Sequence, residues 1–175
     1  SYNGFEFFIF TKYSNLMQQN KSDKTFTFDE ILRKAESYCA YQERCHTEVI
    51  QKLKTFSSSE TVIDNAVVHL IEHNFLNEER FACSYARGKH RIKHWGRIRI
   101  VRELKARSIS KYNIDKALKE IDSEEYTTNF NNLSERIWES ITEPKSQKKK
   151  KKFCDYLLRK GFETSLIYEK LQDLT

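Results

Sequence analysis

Two stretches of cations are the residues best placed to do chemistry in this chain, and that chemistry is capture of an anion. From Arg87 to Arg107 there are nine Lys/Arg (Arg87, Lys89, Arg91, Lys93, Arg97, Arg99, Arg102, Lys105 and Arg107) against one acid, Glu103. From Lys145 to Lys160 there are eight (Lys145, Lys148, Lys149, Lys150, Lys151, Lys152, Arg159 and Lys160) against Asp155. These windows carry +8 and +7 in a chain whose formal net charge is +6, which leaves −9 for the remainder. Such segregation points to an anionic partner, either nucleic acid or an acidic protein surface. The candidate binding residues are Arg91, Lys93, Arg97, Arg99, Arg102, Lys105 and Arg107 in the first window. In the second they are Lys148, Lys149, Lys150, Lys151, Lys152 and Arg159.

Each window has a plainer reading. At about 100° per residue, Ile100, Val101 and Leu104 share one helical face, while Arg99, Arg102 and Glu103 point the other way. Arg is suited to gripping an oxyanion pair with its planar fork. The alternative is a solvated face closed by an Arg99–Glu103 pair, worth about 0.3–0.5 kcal/mol. Five successive lysines repel one another and commonly form a solvated run. Here they lead into Phe153, so they should form the first turns of a helix, where the dipole disfavours cations. A nearby anion would relieve that.

Other groups are weaker. His69-Leu70-Ile71-Glu72-His73 fits the HxxEH pattern of inverted zinc peptidases, but no distant Glu stands out as a third ligand and Leu70 reads as core. His90 and His94 are also four apart, in a cationic stretch that disfavours a dication. Cys39, Cys45, Cys83 and Cys154 lack CxxC spacing and read as buried or idle thiols. Trp95 and Trp138 read as packing residues, with stacking on bases the lesser option for Trp95. There is no phosphate loop, nucleophile with its base, or acid/base pair, so neither an enzyme nor a cofactor is expected.

The elements that must position these groups follow from a repeat. From Leu104, steps forward reach Ile109, Ile114, Leu118 and Ile121; from Leu157 the same steps reach Phe162, Ile167, Leu171 and Leu174. A third copy starts at Leu53, after Val49 and Ile50, and continues through Ile63, Val67 and Leu70, with Ser58 as its one miss. Steps of three and four keep one helical face, and a step of five bridges two helices. Gly161 suits the left-handed position that ends a helix. One more amphipathic stretch leads each pair, near 29–41, 77–93 and 124–141. Thr27 to Glu30 and Ser57 to Glu60 have the capping-box pattern, and Asn77 and Ser123 are candidate N-caps.

The expected fold is therefore all-α: three tandem three-helix, helix-turn-helix-like repeats in an elongated curved array. The expected units are 25–75, 76–122 and 123–175. Residues 1–24 open at Ser1 without Met, as a processed or excised chain would, and carry the apolar Phe5–Phe10. They read as a poorly ordered or accessory extension, too short in their apolar run for a secretory signal. No run approaches a membrane span, so a cytoplasmic protein is expected, and the repeat architecture makes a monomer the expected state.

Phe75-Leu76-Asn77-Glu78-Glu79-Arg80-Phe81-Ala82, followed by Trp95-Gly96-Arg97, Ile100, Glu103-Leu104 and Ile109, resembles the RecX family. Leu158-Arg159-Lys160-Gly161-Phe162 is similar to that family's last repeat. Tyr38-Cys39, Glu43, Cys45, Val49 and Lys52-Leu53 resemble the first repeat of one branch. The resemblance covers about residues 27–175. It departs at Ser108, where the family usually has Gly, and at Ser58. It implies tandem three-helix repeats without enzymatic activity. It also implies a partner, the RecA filament on single-stranded DNA, whose ATP hydrolysis, strand exchange and co-protease function are restrained. Direct weak DNA contact is a separate expectation, from the basic stretches alone. The alternatives are an autonomous DNA-binding helix-turn-helix protein and, more remotely, a zinc peptidase built on His69 and His73.

Overall fold

The computed structural model describes residues 26–175 apart from Lys145, so the extension at 1–24 lies outside the described residues. Among them every regular element is a helix: α1 (Phe28–Tyr41), α2 (His46–Lys54), α3 (Glu60–Glu72), α4 (Glu78–Lys93), α5 (Arg97–Lys105), α6 (Lys111–Lys119), α7 (Ser123–Ser140), α8 (Gln147–Lys160) and α9 (Thr164–Leu174). Helices pack within three successive triplets, with α1 on α3, α4 on α6 and α8 on α9. This is the all-α, tandem three-helix architecture that the spacing predicts.

Caps decide where the helices begin. Thr27 and Glu30 form the expected capping box before α1, and the Asn77 side chain accepts from the Arg80 N–H at the start of α4. Two expectations are corrected. The N-cap of α3 is Ser59, which accepts from the Val62 N–H, while Ser57 accepts from Ser59 itself. The N-cap of α7 is Asp122, not Ser123. In both places a nearer oxygen reaches the free N–H groups of the first turn.

The anchors of the three copies are equivalent in burial: Leu53, Leu104 and Leu157 are each fully buried. Two cores result. One holds Ile31, Ala35, Val49, Leu53, Ile63 and Leu70. The other runs from α4 to α9 and also takes in Cys45, the N-cap residue of α2. The second and third triplets thus share one interior.

The turns after α5 and α8 are alike. Ile109 N–H donates to the Leu104 carbonyl and Phe162 N–H to the Leu157 carbonyl, each burying its apolar side chain. The preceding residue is left-handed in both, Ser108 at φ 60° and Gly161 at φ 85°. The first copy differs, because Ser58 is exposed. There Phe56 packs against the core, its ring edge-on to Phe26 at 5.6 Å.

Candidate partner-binding surface

The geometry of the basic residues begins at the junction of α5 with α8. Gly96 N–H donates to the Lys160 carbonyl (2.9 Å) and Ile98 N–H to the Gly161 carbonyl (3.1 Å). Arg97 N–H donates to the Tyr126 hydroxyl (3.2 Å), which donates to Glu163 (2.6 Å). The free N–H groups at the start of α5 are therefore satisfied by carbonyls at the end of α8 and by a Tyr–Glu relay. The two helix dipoles meet positive end to negative end. Burial, with Glu163 beside it, pushes the Tyr126 phenol well above its usual range, so it stays a donor.

The first cationic window divides into held and free side chains. Arg91 grips Glu125 through Nε and Nη2 (2.8 and 3.0 Å). Arg97 lies over the Tyr126 ring (4.1 Å) and Arg99 over Trp95 (4.0 Å), with Arg99 also donating to the Arg159 carbonyl. Arg107 pairs with Glu103 (3.2 Å) and covers Tyr85. The Arg99–Glu103 pair of the alternative reading does not form: Glu103 pairs with Arg107, and Arg99 folds onto Trp95. Lys93, Arg102 and Lys105 are exposed and have no ion pair among the described residues.

In the second window Ser146 caps α8, so the lysines do form its first turns. The anion that relieves them is Glu143, which pairs with Lys152 and lies 4.0 Å from Lys148. The Lys152 ammonium, hydrogen-bonded to the Glu143 carboxylate, holds it below the usual carboxylate range. Lys151 pairs with Asp155 (2.9 Å) and Lys150 has no ion pair among the described residues. Lys149 is buried: it donates to the Ile141 carbonyl (2.9 Å) and lies over Trp138 (4.6 Å). Composition hides this, but the stripe Lys149–Phe153–Leu157 at intervals of four is visible in the sequence.

The two windows converge. Arg102 of α5 and Lys152, Asp155 and Arg159 of α8 line one groove, with Ile137, Ile141, Tyr156 and Leu158 as its apolar lining. Fifty residues apart in sequence, Arg102 and Lys152 are brought together by the α5–α8 junction. Lys93 and Arg107 instead line a second cleft with Glu43, Glu48 and Tyr85.

The remaining candidates have structural partners. His69 Nε2 sits 2.7 Å from Glu36, and His73 stacks on the His69 ring. His90 is buried between the Trp95 carbonyl (3.1 Å) and the Asn129 amide (2.9 Å), so it does not share a ligand with His94. No cluster of three or more His, Cys, Asp or Glu suited to a metal occurs among the described residues. The four cysteines are free, and burial pushes the thiols of Cys39, Cys83 and Cys154 up, away from reactivity. Arg80 of the motif string is held within the array, donating to Glu43, to Asn74 Oδ1 and to the Asn74 and Phe75 carbonyls. It ties the end of α3 and the loop after α1 to α4. No described helix is long and apolar enough to cross a membrane.

Fold and surface together define a class: tandem three-helix repeats that present cations around a groove. Two family models, the second and third three-helix domains of RecX, match residues 77–118 and 124–171, together just over half of the chain. The chain belongs to the RecX family. Among curated relatives, the regulatory protein RecX of Bacillus cytotoxicus is 27% identical over 140 residues, 80% of this chain and 52% of that protein. That of Lactobacillus gasseri is 35% identical over 92 residues, 53% of this chain and 34% of that protein. The chain spans about half the length of the curated relatives it matches over most of its length. The crystal structure of RecX from Lactobacillus salivarius superposes with a TM-score of 0.71 at 24% identity, covering 84% of this chain and 96% of the other. That likeness shows the fold.

Proposed function

We propose that this protein binds the RecA filament on single-stranded DNA and restrains it, lowering ATP hydrolysis, strand exchange and co-protease function without catalysis of its own. The division into repeats 25–75, 76–122 and 123–175, a monomeric state and a place in the cytoplasm, in control of recombination and the SOS response, belong to the same reading. The observation that carries it is the convergence of Arg102, Lys152 and Arg159 on one groove, with Lys93 and Lys105 free on the same basic stretch. Family membership supports a regulatory role, and cations free of internal partners are available to an acidic surface.

Co-sedimentation with RecA filaments tests the reading. The protein is expected to pellet with RecA on single-stranded DNA, and the variant Arg102→Glu/Lys105→Glu/Arg159→Glu to remain in the supernatant while folded. Equal pelleting of that variant would contradict the surface assignment. The free lysines also favour a second reading, direct DNA binding. It requires duplex binding without RecA that weakens steeply with salt as counterion release is lost. Negligible binding at moderate salt would remove it as the main activity.

A further inference from the structure

We infer that the groove between α5 and α8 seats a short acidic polypeptide segment carrying an apolar side chain, contributed by a partner protein, rather than a nucleic-acid strand. The inference rests on the reading above in taking a protein as the partner. Its first support is the charge left over inside the groove. Lys152 is neutralised by Glu143 and Asp155 by Lys151, so the groove's own ions largely cancel. Arg102 and Arg159 remain, one on α5 and one on α8, and neither has a carboxylate partner among the described residues. Arg159 is steadied by Nε donating to the Asp155 carbonyl at 3.3 Å, which leaves its Nη groups for a ligand. Paired guanidinium groups on two walls match carboxylates gripped in bidentate fashion.

The second support is the lining. Ile137, Ile141 and Tyr156 are half-buried against the core, and Leu158 is 44% exposed. An apolar anchor ringed by charge is the usual build of a protein-recognition pocket. A nucleic-acid strand would use free aromatic faces for its bases. The one ring in the groove lining is Tyr156, and it is approached by the chain's own Lys160 at 5.6 Å and Arg159 at 6.0 Å. A phosphodiester strand would thus meet two arginines and an apolar floor whose single ring is half-buried and already approached by cations.

The test is a titration of the ¹⁵N-labelled full chain with the blocked peptide Asp-Glu-Asp-Phe-Leu-Asp-Glu-Asp, followed by amide shifts. Shifts should centre on Arg102, Ile141, Leu158 and Arg159. Replacing Phe-Leu of the peptide by Ser-Ser, or using the folded protein variant Arg102→Ala/Arg159→Ala, should weaken binding about tenfold or more. An oligothymidylate of matched charge should not displace the peptide. Equal binding of the Ser-Ser peptide, shifts centred elsewhere, no binding, or displacement by the oligothymidylate would each overturn the inference. Co-sedimentation of the parent protein with RecA filaments separates the two ideas. Peptide binding without filament binding sinks the RecA reading and keeps the groove; filament binding without peptide binding does the reverse.

Discussion

Gly96 and Gly161 meet backbone to backbone: a Cβ built on Gly96 would lie 2.2 Å from the Gly161 carbonyl oxygen, and one built on Gly161 would lie 2.3 Å from Arg99 Cβ. Neither obstacle is the far end of a flexible side chain. The absence of both side chains lets the start of α5 approach the end of α8 closely enough for direct hydrogen bonds. That contact brings Arg102 and Arg159 to one groove.

Gly96→Ala should therefore separate α5 from α8. Overpacking of this kind costs about 1–3 kcal/mol, before the two lost backbone bonds are counted. Thermal denaturation should show a fall of several degrees, and filament binding should weaken further than stability alone explains. An unchanged melting temperature would mean that the helices separate freely.

Ser108 occupies the left-handed position that Gly161 fills in the following turn. A residue with a Cβ is strained there by about 1–2 kcal/mol. Ser108→Gly should stabilise by up to about 1 kcal/mol once the added freedom of the unfolded chain is subtracted, raising the midpoint by about 2–4 °C. A lower midpoint in a thermal melt would show that the serine hydroxyl compensates.

Lys149 is the one lysine of its run that belongs to the interior. Truncating it to Ala leaves the Ile141 carbonyl without its donor and uncovers Trp138. An unsatisfied buried acceptor costs about 1–3 kcal/mol. Lys150→Ala, a partly exposed residue of the same run, should change chemical-denaturation midpoints little. Equal effects from the two variants would refute the distinction.

Acid should destabilise the fold in two stages. Burial holds the His94 imidazole below its ordinary 6.5, with repulsion from Arg136, Lys160 and His90 adding to it. The unfolded chain then takes up a proton that the folded chain refuses. This stabilisation is full above about pH 6.5 and is lost as pH falls toward the lower folded value. Glu125 and Glu143 titrate lower in the folded state because Arg91 and Lys152 hydrogen-bond their charged forms. Their contribution is present above the ordinary carboxylate value of 4.5 and is lost as pH falls through the depressed one. His94→Asn, which tolerates the left-handed backbone at φ 51°, should flatten the upper stage in melts across pH. An unaltered upper stage would place that proton elsewhere.

The repeat was legible because its anchors obey helical spacing and are the residues that water excludes: Leu53, Leu104, Leu157 and their followers Ile109 and Phe162 are all buried. The capping oxygens were legible to within two residues, since Ser57, Ser59, Asp122 and Ser123 are chemically interchangeable until the chain is folded. The binding surface was less so. Periodicity places Arg99 and Arg102 on the solvent side alike, but only packing reveals that Trp95 claims Arg99. The Gly96–Gly161 contact joins residues from different repeats, and nothing local in either segment announces the other.

The most direct measurement is the single-stranded-DNA-dependent ATP hydrolysis of RecA from the matching bacterium as this protein is titrated in. Inhibition is expected well below one copy per RecA, and it should be lost when Arg102, Lys105 and Arg159 are all reversed to Glu in a folded variant. Undiminished hydrolysis at equimolar protein would mean that the filament is not restrained, and tight DNA binding beside it would move the function to nucleic acid.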